Sequence, residues 1–462
     1  MKKPFSDNFI LLTVSIYCIS LLVIRLISSF FPRARLWGFN HAFYTNNFWV
    51  IYPVFILIII AIYIYWGKIK YNFDKLESAF ISGKMLNNIS IAGFVIIASV
   101  GFYVFSINNY FLGDSAMIAA ALAKGLGIKS FEYGELFTHK IFIQLFGTFT
   151  EDGARQSYRM LSIISGIVML SGYIYYGKKL IKSNLEFWFL MLFIYFSSST
   201  ILYFGYGENY SIVSAFLNLF LISGTYYLYK HKKSITPIIF YISAIILHKI
   251  AIIFMPVAVY YIFASYLKRK SRLLKWCLPH YIAIMIAIIF LAYIYVITIG
   301  PLLLKIVFLH PLKWKFTIDN YNLFSLNHIL DYFNLLFFLV PVTIFILIFF
   351  LIKGKAEFIK ETDIYFLVIA GAVSLIFSFI FEPRIGMARD WDLISFILIG
   401  SQLAGFYLFI NLFRHLNIFK PAVIILILLQ LSIFIPWLGL NNSLKASLVY
   451  AENIFRLSPH HS

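Results

Sequence analysis

Runs of near twenty apolar residues, separated by short polar connections, repeat along almost the whole chain. About 20 apolar residues in a helix span the ~30 Å hydrocarbon layer of a bilayer. The pattern predicts spans near 9–31, 48–66, 88–107, 160–176, 186–204, 211–228, 237–247, 250–266, 279–299, 332–352, 364–380, 393–412 and 421–440. The expected fold is therefore all-α, a polytopic transmembrane bundle of about 13 spans. It reads as one integral membrane domain: N-terminal spans in 1–107, an external loop in 108–159, further spans in 160–440 and a tail in 441–462. The first run follows "MKK" and lacks a small-residue cleavage site, so it reads as a retained span.

Residues 237–265 admit two readings. One long helix would carry "LKRKSRLLK" to the far side. Two short limbs meeting at His248-Lys249 keep that segment with the other basic connections, and this second reading is adopted.

Composition agrees: 61% of residues are hydrophobic and only 12% charged. The net charge of +19 does not point to nucleic acid, because most of the 38 Lys and Arg lie in "GKKLIKS", "KHKKS", "LKRKSRLLK", "KGKAEFIKETD", "RHLNIFK" and the link between spans two and three. Short basic loops mark the cytoplasmic side. The amino terminus then falls in the cytoplasm, the tail falls outside, and most of the 19 acidic residues collect on the external face. A plasma (inner) membrane location is expected. Cys18 and Cys277 sit in or beside apolar segments, so no disulfide framework or cysteine metal site is indicated.

Polar chemistry concentrates in the external connections. "NNYFLGDSAMIAAALAKGLGIKS" sets Asp114 before an Ala-rich helical stretch, as a helix N-cap or as a general base or cation ligand at the membrane surface. "ELFTHKIFIQLFGTF" carries a wide apolar stripe with His139 among its polar positions, the pattern of a helix lying along the interface. "GYGENYS" holds Glu208 between tyrosines in a tight turn. "EPRIGMARDWD" crowds Glu382, Arg384, Arg389, Asp390 and Asp392 together. Guanidinium forks suit phosphate, and Lys249 with His248 adds a point charge and a titrating donor. The same residues also fit a plain loop, with Asp390 or Asp392 capping the next helix and the arginines snorkelling to headgroups.

A carboxylate in the first large external loop, just beyond a span and followed by two juxtamembrane helices, resembles the GT-C glycosyltransferases. The likeness covers residues 108–159 with Asp114 at the motif position; two further spans precede it, and "GDSA" holds a single acidic residue. The resemblance implies an inverting membrane glycosyltransferase using a polyprenyl-phosphate sugar donor, working in cell-envelope polysaccharide biosynthesis. Its acceptor would be a lipid, glycan or protein. Asp114 is then the catalytic residue, alone or through a divalent cation (Mg or Mn). Arg384, Arg389, Lys249 and His248 would hold the donor phosphate, and Glu208, His139, Asp390 and Asp392 would complete the substrate site. The alternatives are an O-antigen-type polymerase or ligase, and a transporter or flippase of lipid-linked sugars. No repeat is visible in the sequence, which disfavours transport.

Overall fold

The computed structural model describes residues 7–45, 47–80, 84–107, 109, 111–113, 115–125, 132–146, 149–266, 307–313, 319–353 and 361–457. The predicted span 279–299 and Asp114 lie outside them, as does Cys277.

Apolar composition makes helices here because a backbone in hydrocarbon must satisfy its own hydrogen bonds. In chain order the elements are α1 (Asp7–Ser28), α2 (His41–Tyr44), α3 (Ile51–Phe80), α4 (Lys84–Val104), α5 (Ser115–Ala123), α6 (Tyr133–Phe146) and α7 (Glu151–Leu180). Then follow α8 (Asn184–Tyr195), α9 (Ser211–Tyr229), α10 (Thr236–Leu247) and α11 (Met255–Tyr266). After the undescribed stretch come α12 (Leu326–Leu339), α13 (Pro341–Lys353), α14 (Thr362–Ile380), α15 (Trp391–Ile397), α16 (Ile399–Phe413), α17 (Phe419–Asn442) and α18 (Leu444–Arg456).

Seven of these helices are long and apolar enough to cross a membrane, and two bent pairs raise the number to nine. Shorter apolar helices occupy 184–195, 236–247 and 249–265, where the sequence pattern also places spans. Many large apolar side chains face outward, among them Ile16, Leu57, Ile97 and Ile246. The chain is an integral membrane protein. Two helices follow position 114, as expected: α5 and α6.

Polar contacts sort the connections into two ends of the bundle. At one end Asp7 accepts the Asn417 N–H at 3.3 Å, Lys178 donates to Asn88 at 3.0 Å, and Lys420 pairs with Asp74 at 2.6 Å and Glu77 at 2.5 Å. At the other, Asn442 donates to the Phe105 carbonyl at 2.9 Å, the Ile107 N–H to the Phe204 carbonyl at 2.7 Å, and Arg35 pairs with Asp319 and Asp331. The basic connections "GKKLIKS", "KHKKS" and "RHLNIFK" belong to the first end.

Residues 237–265 form a hairpin. α10 ends at His248, a 3-10 turn spans Lys249–Phe254, and α11 returns. Tyr261 donates to the Ser234 carbonyl at 2.8 Å. A continuous helix would hold those residues ~40 Å apart at 1.5 Å per residue. Cysteines at Lys233 and Ser265 are therefore expected to react with an impermeant maleimide from the same side, and one at Lys249 from the opposite side. Labelling of all three from one side would contradict the hairpin.

The predicted span 332–352 is not one helix. α12 and α13 meet at 101°, because Pro341 has no N–H to continue the ladder. The carbonyls exposed at the elbow are taken by side chains from elsewhere: Phe337 by Arg25 Nη2 at 2.9 Å, Phe338 by Ser198 at 2.6 Å and Pro341 by Tyr17. Predicted span 393–412 is likewise bent, by 50°, between α15 and α16.

Candidate active site

The "GYGENYS" connection is held from several sides. Gly205, at φ +71°, lies so close to Ser106 that a Cβ would come within 2.8 Å of that side chain. Ser162 donates to the Leu202 carbonyl at 2.7 Å and accepts the Tyr206 N–H at 3.1 Å. Asn209 accepts from the Tyr158 hydroxyl at 2.9 Å and donates to Glu132 Oε2 at 2.9 Å. Glu208 is thereby buried at 3% exposure, with the Ser115 hydroxyl donating to its Oε1 at 2.7 Å.

Gly113 explains how this carboxylate comes so near. It has φ +71°, which favours glycine. A Cβ there would strike Glu208 Oε1 and lie 3.4 Å from Asp392 Oδ2. Two buried carboxylates from distant loops thus press on one glycine. Like charges this close favour a shared proton or a cation. The neighbouring phenols feel the same field. Tyr206 is pushed well up, first by burial and then by Asp392 and Glu208. Tyr210 is pushed up by burial and by Asp392, Glu208, Asp390 and Glu132.

The α10–α11 tip closes the site from a second direction. α6 sits flush on the last turn of α10: a Cβ on Gly134 would strike the Ile246 carbonyl and lie 2.8 Å from the Leu247 Cα. His248 is buried, its Nδ1 accepts the Ile250 N–H at 3.3 Å, and its Nε2 lies 3.9 Å from Glu132 Oε1. The Tyr210 ring packs on His248 and stacks on Phe396. Lys249 is exposed, with its ammonium 5.9 Å from the Tyr133 ring centre. Glu208 and His248 are therefore linked through Asn209 and Glu132, while Glu208 and Asp392 both act on Tyr210, which packs on His248; Lys249 is the chain neighbour of His248.

The other expected site residues have contacts of their own. His139 is 2% exposed, stacks on Tyr158 at 3.6 Å and contacts Ser157 at 3.2 Å, within the α6–α7 packing; burial lowers it to about 3, so it is neutral. Glu135, one turn earlier, is fully buried and pushed well above the carboxylate range by burial, with the Ile212 N–H opposing and Glu132 adding. Asp390 holds the N-cap position of α15 without capping it; its Oδ2 accepts the Ile385 N–H at 3.3 Å and folds the loop on itself. Arg384 is exposed, whereas Arg389 lies over the Phe455 ring at 4.5 Å. Arg389 also lines a small cavity with Arg35, Asp319, Asp331, Gly386 and Leu457. Among the described ring contacts, Arg389 lies over Phe455 and Lys249 over Tyr133.

The sequence reading missed Glu132, Asn209, Ser115 and Arg35. Asn209 and Ser115 are chain neighbours of chosen residues, so adjacency was their only signal. Nothing in the spacing ties Arg35 to Asp331.

No protein-family model matches the chain, and no curated protein matches it. Two solved structures of ArnT from Cupriavidus metallidurans are similar to it over most of their length. The apo state is 11% identical, covers 77% of each chain and has a TM-score of 0.42. The structure bound to undecaprenyl phosphate is 12% identical, covers 79% of this chain and 78% of that one, and has a TM-score of 0.40.

Proposed function

We propose that the chain is a GT-C-type membrane glycosyltransferase, moving a sugar from a polyprenyl-phosphate donor to a lipid, glycan or protein acceptor at the external face. The observation that carries this reading is the meeting of Glu208 and Asp392 against Gly113, with Ser115 bonded to Glu208. Gly113 and Ser115 flank Asp114 in the chain. Carboxylates gathered at one loop suit proton abstraction from a sugar hydroxyl.

In this reading Asp114 takes the acceptor hydroxyl proton. The oxygen attacks the anomeric carbon as the carbon–oxygen bond to the lipid phosphate breaks, and the configuration inverts. Charge developing on the departing phosphate is stabilised by Lys249 and Arg384, both exposed. Glu208 and Asp392 orient the acceptor and the sugar hydroxyls. Their oxygens also suit Mg or Mn. Among the described residues, no group of three or more His, Cys, Asp or Glu gathers as a metal cluster, and no step is assigned to an ion.

Purified protein in vesicles, given a radiolabelled polyprenyl-phosphate sugar and a mixed acceptor fraction, is expected to release free lipid phosphate and label the acceptor. Movement of the intact donor across the bilayer without cleavage would favour the flippase reading instead.

Cation placement gives a second expectation. Lys249→Met should weaken binding of undecaprenyl phosphate about 10-fold, the scale of one charge-assisted hydrogen bond. Arg389→Lys should leave that affinity within about 2-fold, because Arg389 packs on Phe455. Titration of the lipid into nanodisc-held protein reads both; the opposite order would return the phosphate to Arg389.

A further inference from the structure

Asp331 is a buried carboxylate with several described hydrogen bonds. It accepts from Arg35 Nε at 3.0 Å, Arg35 Nη2 at 2.9 Å, Trp37 Nε1 at 2.8 Å and the Tyr321 hydroxyl. Arg35 Nη2 also reaches Asp319 at 2.8 Å, and its Nη1 donates to the Leu457 carbonyl at 3.2 Å. One knot therefore ties the α1–α2 connection, the segment before α12, α12 itself and the end of α18. Burial leaves Asp331 2% and Asp319 6% exposed, so these bonds are not traded for water.

The loop that carries Asp392 closes on this knot. Gly386 stands at φ +90°, and Asp319 fills the place its Cβ would take. Arg389 N–H and Asp390 N–H both donate to the Gly386 carbonyl, at 3.0 and 2.9 Å, and the Asp390 carboxylate staples Ile385. Trp391 follows at once, wedged against Tyr206, Trp437 and Phe338 at 5.3, 5.1 and 6.1 Å. Bonded and packed residues thus run from the knot to the neighbour of Asp392.

We propose that the Arg35–Asp331–Asp319 knot is a positioning device that sets the Asp392 carboxylate against Gly113 and Glu208, acting through the seat it makes for Gly386. The proposal rests on the Glu208–Asp392 group being the transfer site, but its mechanical part stands apart from any activity. A knot that only added stability would leave the surroundings of Trp391 unchanged when it is loosened.

The test uses the full chain in nanodiscs with 5-fluorotryptophan incorporated, the Trp391 fluorine signal being assigned with Trp391→Phe. Gly386→Ala and Asp331→Asn are each expected to shift or broaden that signal while the signals of Trp66 and Trp188, which touch neither the knot nor Trp391 in any described ring contact, stay in place. Transfer should fall about 10²-fold in kcat, the scale of a misplaced group of about 1 Å, with the donor KM within about 3-fold. Arg35→Lys, which keeps the charge but loses the fork, should fall between wild type and Asp331→Asn. An unmoved Trp391 signal in Gly386→Ala overturns the proposal, and that variant removes no polar group, so it decides even where Asp331→Asn fails to accumulate. Absence of transfer by the wild-type protein would overturn the glycosyltransferase reading alone, leaving the fluorine result to decide the positioning.

Discussion

Asp114→Asn is expected to lower sugar transfer by at least ~10²-fold while insertion and thermal stability stay near wild type. The rival role for Asp114 is an N-cap on α5, and Asn caps about as well as Asp. The amide keeps the size and the acceptor oxygen but cannot take a proton. Its chain neighbours give the expectation a structural footing, since Gly113 and Ser115 both lie against Glu208. Glu208→Gln provides the companion measurement. It keeps the hydrogen bond from Ser115 and removes the charge, so an orienting Glu208 should lose less than Asp114→Asn does. Equal turnover in Asp114→Asn and wild type would remove Asp114 from the chemistry. A larger loss in Glu208→Gln than in Asp114→Asn would transfer the base role to Glu208.

Much of this architecture could be read from the sequence because hydrocarbon imposes a simple rule. Long apolar runs must be helices, and Lys and Arg in short loops sort those helices by direction. The hairpin at His248 followed from that rule, and the Tyr261–Ser234 bond bears it out. The rule cannot see breaks that other helices repair. Residues 332–352 read as one span because Pro341 is a single residue in an apolar run, and its neighbours' carbonyls are satisfied by Arg25, Ser198 and Tyr17.

Charge in a tight turn between apolar runs is rare, and that singled out Glu208, His248, Lys249 and Asp392 as candidates. What the sequence could not say is which charges use each other. Arg389 and Asp392 are near neighbours in the chain, yet one faces Phe455 and the other Gly113. Arg35 meets Asp331 across almost three hundred residues, a pairing no local pattern encodes.

Arg25→Met is expected to be among the most destabilising single changes in the chain. Arg25 is in the last turn of α1 and fully buried; it donates to the carbonyls of Gly38 at 3.1 Å and Phe337 at 2.9 Å, lies over the Phe39 ring and is near the Tyr52 hydroxyl. A buried cation among carbonyls looks costly, but Phe337 O is the one that Pro341 leaves without its helical donor, at the C-terminal end of α12 where the helix dipole is negative. The guanidinium therefore replaces a missing N–H and meets partial negative charge. Methionine fills similar space with no donor, and leaves that carbonyl unpaired in an apolar interior where water cannot reach it. The expected loss is about 2–5 kcal/mol, from one orphaned carbonyl at the elbow and one at Gly38. The Arg25→Lys variant keeps the charge but has no planar fork to reach both carbonyls, so its stability should fall between the two. Thermal unfolding of detergent-purified protein reads the order wild type, Arg25→Lys, Arg25→Met. Wild-type unfolding with lost sugar transfer in Arg25→Met would instead make Arg25 a substrate contact, and the elbow would need another explanation for its stability.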